Sequence, residues 1–316
     1  MDRSAAGSST SATRRSPGSL RSVKASLASA SPGDGPPGRS ALRALAERHG
    51  ITPTRSLGQH FLADPNLARA IVLDARVGPG DRVLEVGAGL GSLTLALADA
   101  GCDVVAVELD RALLPALREA IGERRNVRLE RLDASDVPAL AAIVRGDGWS
   151  LVANLPYGVS VPLIVDVLDR IPAIGQLVVM VQREVADRFL APPGSEAYGP
   201  VSIRILFHAD AQRMRRVPRE VFWPAPNVDS AIVRITRRSA PEVGTDRDAL
   251  FRLVDEAFAE RRKTLASAVR RLGLEADDLR GDVTGSGVDL SARAEDTGIL
   301  GFAALTEALL ARGWRP

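Results

Sequence analysis

The stretch Val83-Leu84-Glu85-Val86-Gly87-Ala88-Gly89-Leu90-Gly91 decides how the rest of the chain reads. A short apolar run meets three glycines at alternate positions, and a helical pattern, Ser92–Asp99, follows at once. In an open α/β sheet the ligand sits beyond the carboxyl ends of the strands, and glycines there let backbone approach it. The spacing is G-x-G-x-G, not the G-x-G-x-x-G of dinucleotide sites, so a pyrophosphate cradle is not written here. Glu85, just before the glycines, favours a ligand with an amino group over one with phosphates.

Outward from this turn, strands and helices alternate. Strand candidates are Arg82–Val86, Asp103–Val107, Val127–Arg131, Leu151–Ala153 and Leu177–Val181. Between them lie the helical patterns Ser92–Asp99, Arg111–Ile121 and Pro162–Arg170. Such alternation predicts an α/β fold with a doubly wound, mostly parallel, Rossmann-like sheet. Ala211–Val217 and Ala231–Ile235 follow one another with little helix between, which suits an antiparallel edge. After Arg238 and the linker Ser239–Thr245 the texture changes to helices only, at Ala249–Phe258, Lys263–Leu272 and Gly301–Ala311. We read three regions: a low-complexity tail over 1–40, a catalytic domain over 41–238, and a small all-helical domain over 245–316. The short amphipathic stretch Ala41–His49, closed by Gly50, would open the ordered part.

Composition narrows the classes. The chain has 316 residues, 45% hydrophobic and 25% charged, which is ordinary for a globular protein. No segment approaches the roughly 18 apolar residues of a spanning helix. Cys102 is the sole cysteine, so no internal disulfide can form. His49, His60 and His208 are scattered, so no metal site is expected. Net charge is +2, but residues 1–40 carry six basic against two acidic side chains, leaving −2 for the remainder. Any nucleic-acid affinity of the folded part must therefore come from local patches. The tail is rich in Ser, Ala, Gly and Pro and nearly empty of large apolar side chains, so it is expected to be disordered. Its Arg/Ser-rich, acid-poor make-up is shared with organellar leaders, but Pro32, Pro36 and Pro37 interrupt it and no amphipathic stripe is present.

Three acids follow successive strands. Glu108 ends the second, roughly 20 residues past the glycines, where such folds hold a ribose. Asp133 follows the third and suits an acceptor for an exocyclic adenine amine, although a lone Asp there also reads as a helix cap. With Glu85, the series describes an adenosine carrying an amino acid, which is S-adenosylmethionine. After the fourth strand comes Asn154-Leu155-Pro156-Tyr157. The amide carbonyl of Asn154 and the main-chain carbonyl of Leu155 can accept both N–H groups of a planar amine. Pro156 stiffens the turn, and Tyr157 offers a face for a flipped base. A methyl on positive sulfur is already activated, so orientation carries the reaction and no general base is required.

These motifs resemble the ribosomal RNA adenine N6-dimethyltransferases, specifically the KsgA-type enzymes of the small subunit. The resemblance spans roughly residues 45–312. It adds Ser56-Leu57-Gly58-Gln59-His60-Phe61-Leu62, Met180–Arg188, Ala197-Tyr198-Gly199, Phe222–Ser230, Ala257–Thr264 and Arg293-Ala294-Glu295 to the stretches already quoted. It implies a class I methyltransferase sheet that takes S-adenosylmethionine. His60 and Leu62 would meet the amino-acid end of that cofactor. Gly87 would meet the methionine moiety, Glu108 the ribose and Asp133 the adenine, with Gly89 and Gly91 also cofactor-binding, while Asn154 would bridge cofactor and target amine. Phe222 would close the far side of the target base. Many bacterial members have Asn where this chain has His60, which points to the backbone at 60 more than to the imidazole. Gly158 replaces a common Asn. The implied substrate is a pair of adjacent adenines near the 3′ end of 16S rRNA, presented by a 30S pre-ribosomal particle to a monomeric, cytoplasmic enzyme.

RNA contacts are expected from Arg213, Arg215, Arg216 and Arg219, and from Arg261, Arg262 and Lys263 on the first helices of the C-terminal domain, through shape and phosphates more than bases. The rivals are the related 23S rRNA methyltransferase of macrolide resistance and a non-catalytic assembly factor. Tyr198-Gly199 and the Arg-Arg-Lys-Thr run argue against the first; intact Gly87, Glu108, Asp133 and Asn154 argue against the second.

Overall fold

The computed structural model describes residues 35–54, 58–283 and 285–316. Residues 1–34 of the expected tail, and Ser56 and Leu57, lie outside the described residues. The tail as drawn to residue 40 runs too far. Helix α1 spans Arg39–Arg48 and Pro36 is already buried.

A seven-stranded sheet forms the centre, built from β2 (Arg82–Val86), β3 (Asp103–Glu108), β4 (Val127–Arg131), β5 (Trp149–Asn154), β6 (Ile174–Gln182), β7 (Ala209–Val217) and β9 (Ser230–Arg237). Their order is β4-β3-β2-β5-β6-β9-β7, parallel from β4 through β6, with β9 antiparallel to both β6 and β7. The order reverses between β2 and β5, and the crevice outside their carboxyl ends is where such sheets bind ligands. Two-residue strands β1 (Phe61–Leu62) and β8 (Phe222–Trp223) form a separate antiparallel ribbon over that edge.

The central strands are apolar throughout because helices cover both faces. Leu84, Val105, Val107, Leu151, Ala153, Leu177 and Val179 face one core layer, with α5 (Val137–Ile143) and α6 (Ser160–Arg170). Val83, Val104, Ala106, Val152, Val178 and Met180 face the other, with α2 (Pro65–Ala75) and α3 (Ser92–Asp99). The two-residue alternation of a strand thus sorts adjacent aliphatics into opposite layers. Helix starts follow local chemistry: Asp64 accepts the N–H groups of Asn66 and Leu67, with Pro65 in the first turn of α2. The helix expected from Arg111 begins only at Leu114 (α4, Leu114–Ile121), because Asp110 accepts the Ala112 N–H at 2.9 Å and turns the chain first.

After β6 come α7 (Arg183–Phe189) and α8 (Pro200–His208); after β9 come α9 (Arg247–Ala259), α10 (Leu265–Arg271), α11 (Ala276–Leu279) and α12 (Ile299–Ala311). The C-terminal helices do not close a core by themselves. Tyr198, Ile203 and Phe207 lie in the same apolar cluster as Leu253, Phe258, Phe302 and Leu309. The fully buried Tyr198 donates its hydroxyl to the Thr297 carbonyl at 3.1 Å. A boundary at 239–245 therefore marks the end of the last strand, while the apolar contact runs across it.

Candidate active site

At the β2–α3 turn, Gly87, Gly89 and Gly91 all have positive φ (76°, 59° and 88°). A Cβ at Gly89 would stand 3.0 Å from the Phe61 ring, and one at Gly87 would stand 3.3 Å from Pro156, so both must lack a side chain. The N–H groups of Gly87 and Ala88 donate to the Val107 carbonyl, and the Gly89 N–H donates to Glu108 at 2.8 Å. Amides that would cradle phosphates in a dinucleotide site are thus already engaged, which gives the G-x-G-x-G spacing its physical meaning.

These residues floor a cleft of about 740 Å³ at the carboxyl edge of the sheet. The structure brings His60, Leu62, Glu85, Gly87, Gly89, Glu108, Asp133, Asn154, Leu155, Pro156 and Tyr157 to its wall. Two expected residues are absent from that wall. Gly91 instead caps α3, packed toward Leu117 and Ala120. Phe222 is 1% exposed and sits in the sheet core with Val217 and Ile232, because its register partner in the ribbon is Leu62 and both side chains turn inward. Phe222 does not close the far side of a base in this conformation.

The cleft is acidic. Among the described residues, Glu85, Glu108, Asp110, Asp133 and Asp166 line it against one guanidinium, that of Arg111. Glu85 is 1% exposed and accepts the Thr94 hydroxyl at 2.6 Å. Burial pushes its carboxyl up from 4.5 to about 8, partly offset by that bond and reinforced by neighbouring Glu108. Burial raises Glu108 as well, against the backbone N–H groups of Asp110 and Gly89, which favour its ionised form. Those two donors take different Glu108 oxygens, the Leu109 N–H also favours the ionised form, and the remaining acceptor capacity suits further donors such as vicinal hydroxyls. Asp133 is exposed; one oxygen holds the Ser135 N–H and hydroxyl, which lower its pKa, and the other has no partner among the described residues. Asp133 is not the cap of α5; Asp136 is.

In the Asn154 turn, the Asn154 amide N–H donates to the His60 carbonyl at 3.1 Å. That bond orients the side chain, and Oδ1 has no partner among the described residues. The Leu155 N–H donates to Met180, while the Leu155 carbonyl accepts nothing among the described residues. Tyr157 is half-buried, its hydroxyl 3.1 Å from the Ser230 hydroxyl and its ring 5.6 Å from that of His60. Burial keeps the phenol protonated by raising its pKa. The His60 Nδ1 lies 2.8 Å from the Pro224 carbonyl, which can only accept, so Nδ1 carries the proton. Residue 60 thus contributes both its backbone and its imidazole. Ser230 carries no expected role in the sequence; its place in the Pro224–Ser230 motif is the signal that marks it.

The expected RNA-binding arginines divide. Arg213 pairs with Asp187, and Arg215 makes two bonds to Asp74 at 2.6 and 2.7 Å. Arg219 pairs with Glu220. Arg261 reaches the Glu196 and Tyr198 carbonyls and Glu295, so it ties the 196–198 loop to the C-terminal helices. Arg216, Arg262 and Lys263 are exposed with no partner among the described residues. Arg261–Thr264 form the turn between α9 and α10, not a helix, with Thr264 at the start of α10.

Residues 52–308 match the model of a family described as ribosomal RNA adenine dimethylase. The chain belongs to that family. Among its relatives, a ribosomal RNA small subunit methyltransferase A from Cutibacterium acnes is 45% identical over 282 residues, covering 86% of this chain and 94% of the relative. A dimethyladenosine transferase structure from Plasmodium falciparum aligns with a TM-score of 0.66 at 24% identity, over 81% of this chain and 99% of that one. A 23S rRNA methyltransferase, ErmE, aligns with a TM-score of 0.59 at 24% identity, over 79% and 99%. Both share the fold, so architecture alone does not fix the RNA target.

Dimethylase family membership implies S-adenosylmethionine, and the cleft fits it. The acid series suits a cation with hydroxyl and amine donors, and the glycine turn admits a ligand against backbone. Glu108→Ala is expected to weaken cofactor binding about 10- to 100-fold, the loss of charge-assisted bonds to two hydroxyls. Isothermal calorimetry would check this, with far-ultraviolet dichroism confirming an unchanged fold; equal affinity would contradict the ribose role.

Proposed function

We infer that this protein dimethylates N6 of two adjacent adenines near the 3′ end of 16S rRNA in the small ribosomal subunit, with S-adenosylmethionine as methyl donor. The observation that carries the mechanism is a pair of carbonyls, Asn154 Oδ1 and Leu155 O, that have no partner among the described residues and lie beside the half-buried Tyr157. An exocyclic amine has its lone pair delocalised into the base. Two acceptors that hold its N–H groups align that lone pair with an approaching methyl and draw electron density toward nitrogen. Bound cofactor supplies a methyl on a positively charged sulfur. Glu108 and Asp133 would hold its ribose and adenine, Glu85 and the His60–Leu62 segment its amino-acid end. Asn154, held by the His60 carbonyl, keeps its oxygen toward the amine; Pro156 fixes where the Leu155 carbonyl points. Tyr157 gives the flipped base a face. The proton shed at each transfer passes to water, since neither carbonyl is basic enough to keep it. After one transfer the amine retains a single N–H, which either carbonyl can hold while the nitrogen rotates for the second.

On the RNA side, the free cations Arg216, Arg262 and Lys263 are the candidate phosphate contacts, and we assign the helical region from 245 to substrate binding. We read the leader as a low-complexity tail and the enzyme as a cytoplasmic monomer acting during subunit assembly. No helix among the described residues is long and apolar enough to cross a membrane.

Purified protein with labelled cofactor should methylate 30S particles that lack the modification and leave 50S particles unlabelled. Labelling of 50S alone would favour the large-subunit reading; labelling of neither would favour a scaffold without activity.

A further inference from the structure

A second concavity lies along the same carboxyl edge of the sheet, one strand beyond the cleft. Asn154 on β5 is in register with Met180 on β6; two residues on, Gln182 pairs with Ser230, whose hydroxyl contacts that of Tyr157. Strand spacing and rise put Gln182 on the order of 8 Å from Asn154. The groove there has a volume of about 740 Å³ and lies between the start of α7 and the 218–229 segment.

What its lining side chains have free is specific. Its carboxylates are engaged: Glu184 with Arg188, Asp187 with Arg213, Glu220 with Arg219, and Asp229 with the Arg219 N–H at 3.2 Å. The carboxamides of Gln182 and Asn227 and the guanidinium of Arg183 have no partner among the described residues. Val228, an apolar side chain on the same wall, is 46% exposed. The free guanidinium of Arg183 can meet a backbone phosphate, but two free amides and an exposed aliphatic side chain beside engaged carboxylates are poor equipment for one. They match a flat base with donor and acceptor on one edge.

We propose that this groove is a second nucleobase subsite, which holds the adenine next to the one in the cleft and reads it through Gln182 and Asn227. A carboxamide presents a donor and an acceptor side by side, the complement of adenine N7 and N6–H. Guanine presents two acceptors on that edge, so the amide oxygen would face an oxygen. Arg183 and Val228 offer surfaces for the faces of the base. The proposal rests on the adenine-dimethylation reading of the cleft and explains how neighbouring adenines could be told from an isolated one: the second is held while the first reacts.

The test uses unmodified 30S particles with both adenines present, or with either one replaced by guanine. Dimethyladenosine is quantified by mass spectrometry under kcat/KM conditions. Wild type should methylate the remaining adenine of guanine-containing particles about 10-fold more slowly than the same adenine in the intact pair while its neighbour is unmethylated and keeps its N6–H groups, the scale of one lost bidentate contact. Gln182→Ala/Asn227→Ala should fall to that lower rate on the intact pair and no longer distinguish the particles. Asn227→Asp, at an exposed position, keeps the acceptor and loses the donor, and should lose part of the discrimination. Variants that keep the wild-type preference, or slow all particles equally, would overturn the subsite while leaving the cleft assignment standing. Wild type without preference would also overturn it. Wild type inactive on the intact pair would sink the parent reading and the subsite with it.

Discussion

Asn154→Ala should lower methyl transfer on the order of 10³-fold, the effect of removing one preorganised polar group from a reacting centre. Two consequences of the turn geometry support this size. The Asn154 oxygen is one of two acceptors in the turn that suit the amine and have no partner among the described residues, and the bond to the His60 carbonyl presets its direction. Alanine removes both the acceptor and the tie between β5 and the β1 segment. The amine could then rotate its lone pair out of line, and orientation is most of what this reaction needs. Binding to unmodified 30S particles should change little, because the free cations Arg216, Arg262 and Lys263 lie outside the cleft. Single-turnover kinetics with a parallel binding assay separates the two effects. Turnover within a few-fold of wild type would refute the role given to Asn154.

The second large effect concerns Glu85 and pH. In the unfolded chain this carboxyl ionises near 4.5; in the folded protein without ligand, burial moves it to about 8. Between those values the folded state binds one proton more than the unfolded state, so stability from this group is present at low pH and is lost as pH rises through about 8. At ~1.4 kcal/mol per pH unit the span is at most roughly 5 kcal/mol. Glu85→Gln keeps the shape and removes the titration. Thermal unfolding should find the variant increasingly favoured over wild type from pH 5 to pH 8, with little difference at pH 5. Parallel pH profiles for the two proteins would contradict a buried protonated Glu85. A cationic ligand beside Glu85 reverses the balance and favours the carboxylate. Cofactor binding at neutral pH should therefore release close to one proton, seen by calorimetry in buffers of different ionisation heat, and the release should vanish in Glu85→Gln.

Much of the site is local in sequence and could be read there. A strand that runs into alternate glycines, acids at three successive strand ends, and a proline two residues past β5 all express constraints within a few residues of each other. Backbone reach, strand pleat and turn chemistry act at that range, and the topology of a parallel sheet then carries those strand ends to one edge. The same locality explains why strand ends were short by one to three residues at β5 and β6. Trp149, Asn154, Gln176 and Gln182 are paired by neighbouring strands, not by their own propensity.

The use of each side chain was settled only by contacts across long separations. Arg213, Arg215 and Arg261 read as three free cations, but Asp187, Asp74 and the 196–198 carbonyls claim them from 26, 141 and 63 residues away or more. Phe222 shares a motif with site residues, but pairing with Leu62 buries it. Gln182 and Asn227 looked like ordinary motif positions until β6 and β9 set them across one groove. A sequence states which groups a chain carries and how they are spaced along it. Which of those groups remain unpaired depends on what the fold sets opposite them, and unpaired groups are the ones available to a substrate.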